Sequence, residues 1–117
     1  MSKAMNHVAI SVTDIHQAMH WYNEILGMTI LSKPIEIPTN TSKPQDKELF
    51  DRVRTVFGPR FGKLLICHLS SANGVGIELF QFVEPKAELR KDNFEYWKTG
   101  FFHIDITDQH LEELADR

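Results

Sequence analysis

The sequence predicts an α+β fold. A complete β-α-β-β-β module occupies residues 1–83, a connector residues 84–100, and the first strand and helix of a second, incomplete module residues 101–117. Three observations carry this reading. The pattern His7-Val8-Ala9-Ile10-Ser11 returns as His103-Ile104-Asp105-Ile106-Thr107 with polar and apolar positions in the same phase. Each copy runs on into a helical pattern, Ile15 matching Leu111, as a duplicated strand-plus-helix unit does. Between the copies, two strand-like runs are joined by the turn formers Ser70-Ser71-Ala72-Asn73-Gly74.

The first strand is expected over residues 5–12, where alternation puts Val8, Ile10 and Val12 on one face and His7, Ala9 and Ser11 on the other. From Asp14 to Leu26 the apolar residues Ile15, Ala18, Met19, Tyr22, Ile25 and Leu26 recur at helical spacing. Thr13 or Asp14 serves as N-cap, and Gly27 turns the chain out of the helix. Met28 to Ser32 reads as a second strand.

An excursion from Lys33 to Gly62 follows, interrupted by Pro34, Pro38 and Pro44. Within it Leu49, Phe50, Val53 and Phe57 mark a short amphipathic helix. It is longer than a hairpin requires and is expected to form a wall or lid of a pocket. Lys63 to Leu69 and Val75 to Val83 should pair as an antiparallel hairpin, in which Glu78 falls out of phase with Ile77 and Leu79. The connector carries Phe94, Tyr96 and Trp97 to the second motif, and the helical pattern Leu111 to Arg117 closes the sequence. Trp21, Tyr22, Tyr96 and Trp97 read as core or interface aromatics.

Composition narrows the function. At 117 residues, 42% of them hydrophobic, the chain is one domain's worth and can bury a modest core. The single cysteine, Cys67, precludes an internal disulfide. No apolar run reaches membrane-span length and the N-terminus has no signal-type stretch, so a soluble cytoplasmic protein is expected. Net charge is −3 with basic and acidic residues interspersed, which leaves no footprint for nucleic acid.

The candidate site comes from strand phase. His7, Glu78 and His103 each lie on the face opposite their strand's apolar pair, so three strands offer one potential metal ligand apiece. Two imidazoles and a carboxylate suit zinc, nickel, iron(II) or manganese. An ion would also explain Glu78, which shares its face with Phe80 and Phe82; an ionised carboxylate on an apolar face is costly without a cation or donors. The plainer reading is that Glu78 faces water and the histidines are satisfied polar groups. His16 and His20 have ligand spacing but flank the polar helix side with Asn23 and Glu24, and His110 falls at a helix start, so these are expected in solvent. Cys67 and His68 point to opposite faces of the third strand, and one of them should look into the cup; which one stays open. Nothing in the nearby sequence would activate Cys67 as a nucleophile.

His7 at the strand head, the helix ending in Leu26-Gly27, Gly76-Ile77-Glu78-Leu79 and Gly100-Phe101-Phe102-His103 together resemble the vicinal oxygen chelate superfamily. Glyoxalase I, methylmalonyl-CoA epimerase, extradiol dioxygenases and bleomycin-resistance proteins belong to it. The resemblance implies paired βαβββ modules forming a cup around a divalent metal. In the lyase and epimerase branches the ligands run histidine, glutamate or glutamine, histidine, glutamate, and the first three match His7, Glu78 and His103. The fourth, commonly part of proton transfer, would lie on a last strand beyond Arg117, so either a longer protein or a partner chain would supply it. One complete module leaves free sheet edges and a half-lined cup, so a homodimer is expected.

The implied activity is that of a metal-dependent lyase or isomerase of the glyoxalase type, abstracting a proton next to a carbonyl on a small oxygen-chelating substrate. The base would be the last-strand glutamate, a partner's residue or a hydroxide, with Glu78 the site carboxylate already in the chain. Two alternatives are an extradiol-type dioxygenase, which family ligand order disfavours, and a non-catalytic small-molecule binding protein of the resistance type.

Overall fold

The computed structural model describes residues 1–37, 43–91 and 95–117. Pro38 and Phe94 fall outside the described residues. The chain divides into two compact units, Met1–Ala87 and Glu88–Arg117.

In the first unit, β1 (His7–Ser11) leads to α1 (Ile15–His20), which continues through a π-helical turn over Trp21–Ile25. Asp14 is the N-cap. Its side chain accepts from the Gln17 N–H at 3.1 Å, satisfying one of the orphan donors of the first turn. A second orphan, the Ile15 N–H, donates to Gln81 Oε1 at 2.9 Å and so ties the helix start to the sheet. At the far end Gly27 adopts φ 66°, and Asn23 Nδ2 donates to the Met28 carbonyl at 2.8 Å, which closes the reversal into the next strand.

That strand, β2 (Thr29–Ile37), is longer than expected and runs through Pro34. Pro34 is tolerated because β2 lies at the sheet edge and the residue falls within the register shift between Ser32 and Ile35. The amphipathic helix of the excursion is α2 (Pro44–Phe57), with proline in its first turn. β3 (Lys63–Ser70) and β4 (Gly76–Glu84) form the antiparallel hairpin, turned by Gly74 at φ 85° and by Ser71 Oγ donating to the Val75 carbonyl at 2.6 Å.

The four strands lie in the order β1-β4-β3-β2, with β1 parallel to β4 and the other pairs antiparallel. β4 is central, and its alternation divides the interior. Ile77 and Leu79 join Cys67 and Leu69 of β3 and Val8 and Ile10 of β1 against Ile15 and Met19 of α1. On the opposite face Phe80 and Phe82 pack with Ile37, Phe61 and Leu64 and with Phe50 and Val53 of α2. Ile15, Leu79 and Cys67 are wholly buried. Truncating Ile15 to alanine would cost about 2–5 kcal/mol.

The second unit differs from expectation. It contains α3 (Leu111–Ala115), but residues 101–108 have no strand, and Phe101, Phe102 and Ile104 are exposed. Alternation creates a strand only where a neighbouring ladder takes up the backbone groups.

Burial pushes the Cys67 thiol and the Tyr22 phenol above their ordinary values. The folded chain therefore keeps these protons to higher pH than the unfolded chain, so their contribution is complete below the ordinary thiol value and is lost as pH rises beyond it. Urea midpoints should be flat between about pH 7 and 8 and fall above about pH 9. Cys67→Ala should start lower but decline less steeply, and an identical decline would show that the thiol plays no part.

Candidate functional site

The polar end of the sheet face opposite α1 is built by register. β1 pairs with β4 so that Ala9 opposes Glu78 and His7 opposes Gly76, while β3 places His68 directly across from Glu78. His68 thus faces Glu78 across the ladder, and His7, two residues along on β1, reaches Glu78 diagonally. His7 Nε2 lies 2.9 Å and His68 Nε2 3.4 Å from the same carboxylate oxygen, Glu78 Oε2.

The carboxylate is the enclosed member of this group. The Glu78 side chain is 13% exposed, against 44% for His7 and 40% for His68. Withdrawing a carboxylate this far from water is costly unless donors or a cation compensate, and the two imidazoles take that place. His7 is oriented from behind: its Nδ1 lies 2.7 Å from Asn6 Oδ1. If Nδ1 donates to that oxygen, Nε2 presents its lone pair to Glu78 and needs a proton or a metal ion between them. Holding the other ring nitrogen on an oxygen is also how metal-ligating histidines are fixed in tautomer and direction.

Gly76 makes room for this group. A Cβ there would stand 3.1 Å from His7 Cβ and 3.3 Å from the Leu69 carbonyl, so a larger residue would need its neighbours to give by a few tenths of an ångström. By donor type alone, two imidazoles and a carboxylate suit a divalent ion of the zinc, nickel, iron(II) or manganese class. Here both histidines instead approach the Glu78 carboxylate directly. Among the described residues no group of three or more His, Cys, Asp or Glu is arranged so that it could hold a metal ion.

Of the residues singled out by sequence, His7 and Glu78 come together and share a face as strand phase required. His103 belongs to the second unit, where it is exposed with its ring 5.2 Å from that of Phe102. His16 and His20 are on exposed positions of α1, His20 lying 3.6 Å from Glu24. His110 precedes α3 and is exposed, its N–H donating to Asp108 Oδ1. The choice between Cys67 and His68 is resolved: Cys67 is buried against α1, and His68 joins Glu78.

Sequence reasoning did not find Asn6, and it left His68 open. The signal for His68 was available, since placing the hairpin turn at Ser71 to Val75 sets it opposite Glu78. Further along the same face lies an apolar cavity of about 280 Å³, lined by Phe57, Phe61, Phe82 and Pro85 with Arg60 at its wall. Among the described residues no helix is long and apolar enough to cross a membrane.

The sequence profile of the Glyoxalase/Bleomycin resistance protein/Dioxygenase superfamily matches residues 4–117. The chain belongs to that superfamily. Among solved structures, a glyoxalase family protein from Bacillus cereus superposes with a TM-score of 0.71 at 19% identity, covering 96% of this chain and 67% of that one. That likeness is one of fold. No protein of curated function matches the chain in sequence.

Gly76→Ala should separate His7 from Glu78 and destabilise the fold by about 1–3 kcal/mol, as overpacking does. The expected readout is a lowered urea midpoint together with a changed His7 imidazole resonance. A variant as stable as the parent, with that resonance unmoved, would show that the close approach is not limiting.

Proposed function

We propose that this chain is a metal-dependent lyase or isomerase of the glyoxalase type, which abstracts a proton next to a carbonyl on a small oxygen-chelating substrate. The observation that carries the reading is the enclosed Glu78 carboxylate with His7 Nε2 2.9 Å from it, on the sheet face away from α1. His7 and Glu78 are the proposed ligands from the first unit and His103 the proposed ligand from the second, following the superfamily order. When bound, the ion supplies Lewis-acid stabilisation of the charge that develops on the substrate oxygens.

The chain's own residues do the rest. Asn6 keeps the His7 ring directed at the site. Glu78 is the carboxylate within this chain that we assign as a candidate base, its Oε2 standing 2.9 Å from His7 Nε2 and 3.4 Å from His68 Nε2. Phe80 and Phe82, next along the same face of β4, keep water from one side of the site.

A second reading has its own support. The Phe57, Phe61 and Phe82 cavity would suit a protein that holds a small apolar molecule without transforming it. We also place a second copy of the chain beside the first as a homodimer, because the sheet has two edge strands and Leu31, Ile35 and Val56 are exposed apolar residues. Sedimentation at micromolar concentration should give the dimer mass, and a stable monomer would remove that part of the proposal.

The test of activity is incorporation of solvent deuterium beside the carbonyl in a panel of 2-hydroxy ketones and thiol adducts of 2-oxo aldehydes, with zinc, nickel, iron(II) or manganese added. Metal-dependent incorporation is expected, and Glu78→Gln should lower it by about 100-fold or more, the usual scale for a lost acid-base group. Tight binding of such compounds with no exchange would favour the binding protein. Oxygen uptake with a catechol would favour a dioxygenase.

A further inference from the structure

We propose that the cavity beside Phe82 is a binding site for a small aromatic carboxylate, its ring held among Phe57, Phe61 and Phe82 and its carboxylate received by the Arg60 guanidinium. This rests on the reading of that cavity as a holding site and adds the chemical class of its occupant. It is independent of the chemistry at Glu78, because no lining residue of the cavity belongs to that end of the sheet face. Phe82 is four residues further along β4, about 13 Å at the rise of a strand.

Size and lining select an aromatic body. Phe57 and Phe61 stand at 83° and 88° to Phe82, with ring centroids 5.0 and 6.5 Å from it. These are edge-to-face pairs, in which positive ring edges meet negative ring faces. A planar aromatic guest extends such an array, whereas a saturated ring of the same size brings bulk without those contacts. Phe61 is buried, while Phe57 keeps 45% of its surface open and so still has a ring to offer. The volume of about 280 Å³ is roughly twice that of an apolar cavity of about 150 Å³ that takes benzene, so it admits a bicyclic aromatic or a phenyl group on a short arm.

The walls are already held in place, so binding has little chain to order. In the turn Gly58-Pro59-Arg60-Phe61-Gly62, the Phe61 N–H donates to the Gly58 carbonyl at 3.2 Å and the Gly62 N–H to the Glu84 carbonyl at 2.8 Å. Arg54 Nη2 donates to the Pro59 carbonyl at 3.1 Å. On the facing wall the Ala87 N–H donates to the Phe82 carbonyl at 2.9 Å and closes the turn that carries Pro85. The exposed Arg60 is the charged residue of the lining, and among the described residues it has no ion-pair partner, whereas Lys63 is paired with Glu36. Glu84, the nearest acid in sequence, is turned against Gly62, where a Cβ would stand 2.6 Å from its Cδ, and it does not line the cavity. An apolar cavity with one unpaired guanidinium complements an apolar body with one negative charge, and a planar carboxylate matches the planar fork of arginine.

The experiment titrates the full chain with 2-naphthoate, with uncharged 2-naphthamide and with the saturated decalin-2-carboxylate, following backbone amide resonances. Arg60→Gln and Phe57→Leu are titrated in the same way, with the thermal midpoint of each as the folding control. The parent should bind 2-naphthoate with a Kd on the order of 0.1–1 mM, the range of small ligands with modest energy per atom. The amides of Arg60, Phe61 and Gly62 should shift most. Arg60→Gln should weaken 2-naphthoate about fivefold or more, the scale of one charge-assisted hydrogen bond screened by solvent, and leave 2-naphthamide unchanged. Decalin-2-carboxylate should bind the parent about twofold or more weaker than 2-naphthoate, and Phe57→Leu should narrow that gap. Comparing acid with amide on the parent tests the role of charge without any substitution. Equal affinity for the two, or parent-like binding of 2-naphthoate by Arg60→Gln, overturns the proposal and leaves the cavity a holding site for neutral apolar molecules. Binding of the saturated acid as tight as that of 2-naphthoate overturns it as well, as do shifts that centre on His7 and Glu78. Failure of all three compounds to bind at about 10 mM ends both this proposal and the holding-site reading, while the exchange test of the glyoxalase-type reaction stands separately.

Discussion

The pleat of β4 is the constraint on which the first unit depends. The strand is hydrogen-bonded on both sides, parallel to β1 and antiparallel to β3, so its side chains divide strictly between two faces. Ile77 and Leu79 fill the layer under α1, and Gln81 caps that helix. Gly76, Glu78, Phe80 and Phe82 point the other way. A slip of one residue would drive Glu78 into a layer where Leu79, Cys67 and Ile15 have no exposure, and would turn Ile77 and Leu79 out of it. Burying Ile and Leu side chains is worth about 1.5–3 kcal/mol each, and an unpaired carboxylate in their place adds a comparable or larger cost. The register that places Glu78 in the site is thus held by the core beneath α1, and the site inherits its geometry from packing it does not touch.

The same face of the sheet is used in two ways along its length. Where α2 and the segment carrying Phe61 cover it, the exposed side of β4 is aromatic: Phe80 and Phe82 stack at 6.1 Å, and Phe57 meets Phe82 edge to face at 5.0 Å. Polar side chains there would be stripped of water with nothing in return. At the other end the face carries His7, His68 and Glu78, with both histidines about half exposed. An apolar cover and a polar end thus share one sheet face. This arises because the excursion after β2 is long enough to lay a helix back across the sheet.

The sequence shows most where one rule acts alone. Alternation in residues 7–11 and 76–82 is clean, so the common face of His7 and Glu78 is legible, as are a cap at Thr13 or Asp14, which the structure assigns to Asp14, and the turn at Gly27. Legibility fails where two rules compete. Pro34 looks like a strand terminator, yet edge position and register shifts let β2 continue to Ile37. β3 reads Leu64-Leu65-Ile66-Cys67-His68, apolar on both faces because α1 covers one and the aromatic group the other, so no alternation tells His68 from Cys67. The π-helical turn after α1 has no distinct residue pattern. In 103–107 the strand pattern repeats that of β1, but strand formation depends on a partner ladder that local sequence does not contain.

The contrast between β1 and its repeat bears on which ligands a site can use. His7 is mounted on a strand whose backbone is already fixed by the sheet, so engaging an ion restricts little beyond the imidazole torsions, about 2 kcal/mol or less. His103 sits in a stretch without helix or strand, and fixing such backbone costs about 1–2 kcal/mol for every residue ordered. A ligand of that kind contributes to affinity only if the ion or a packing partner orders several residues together with it.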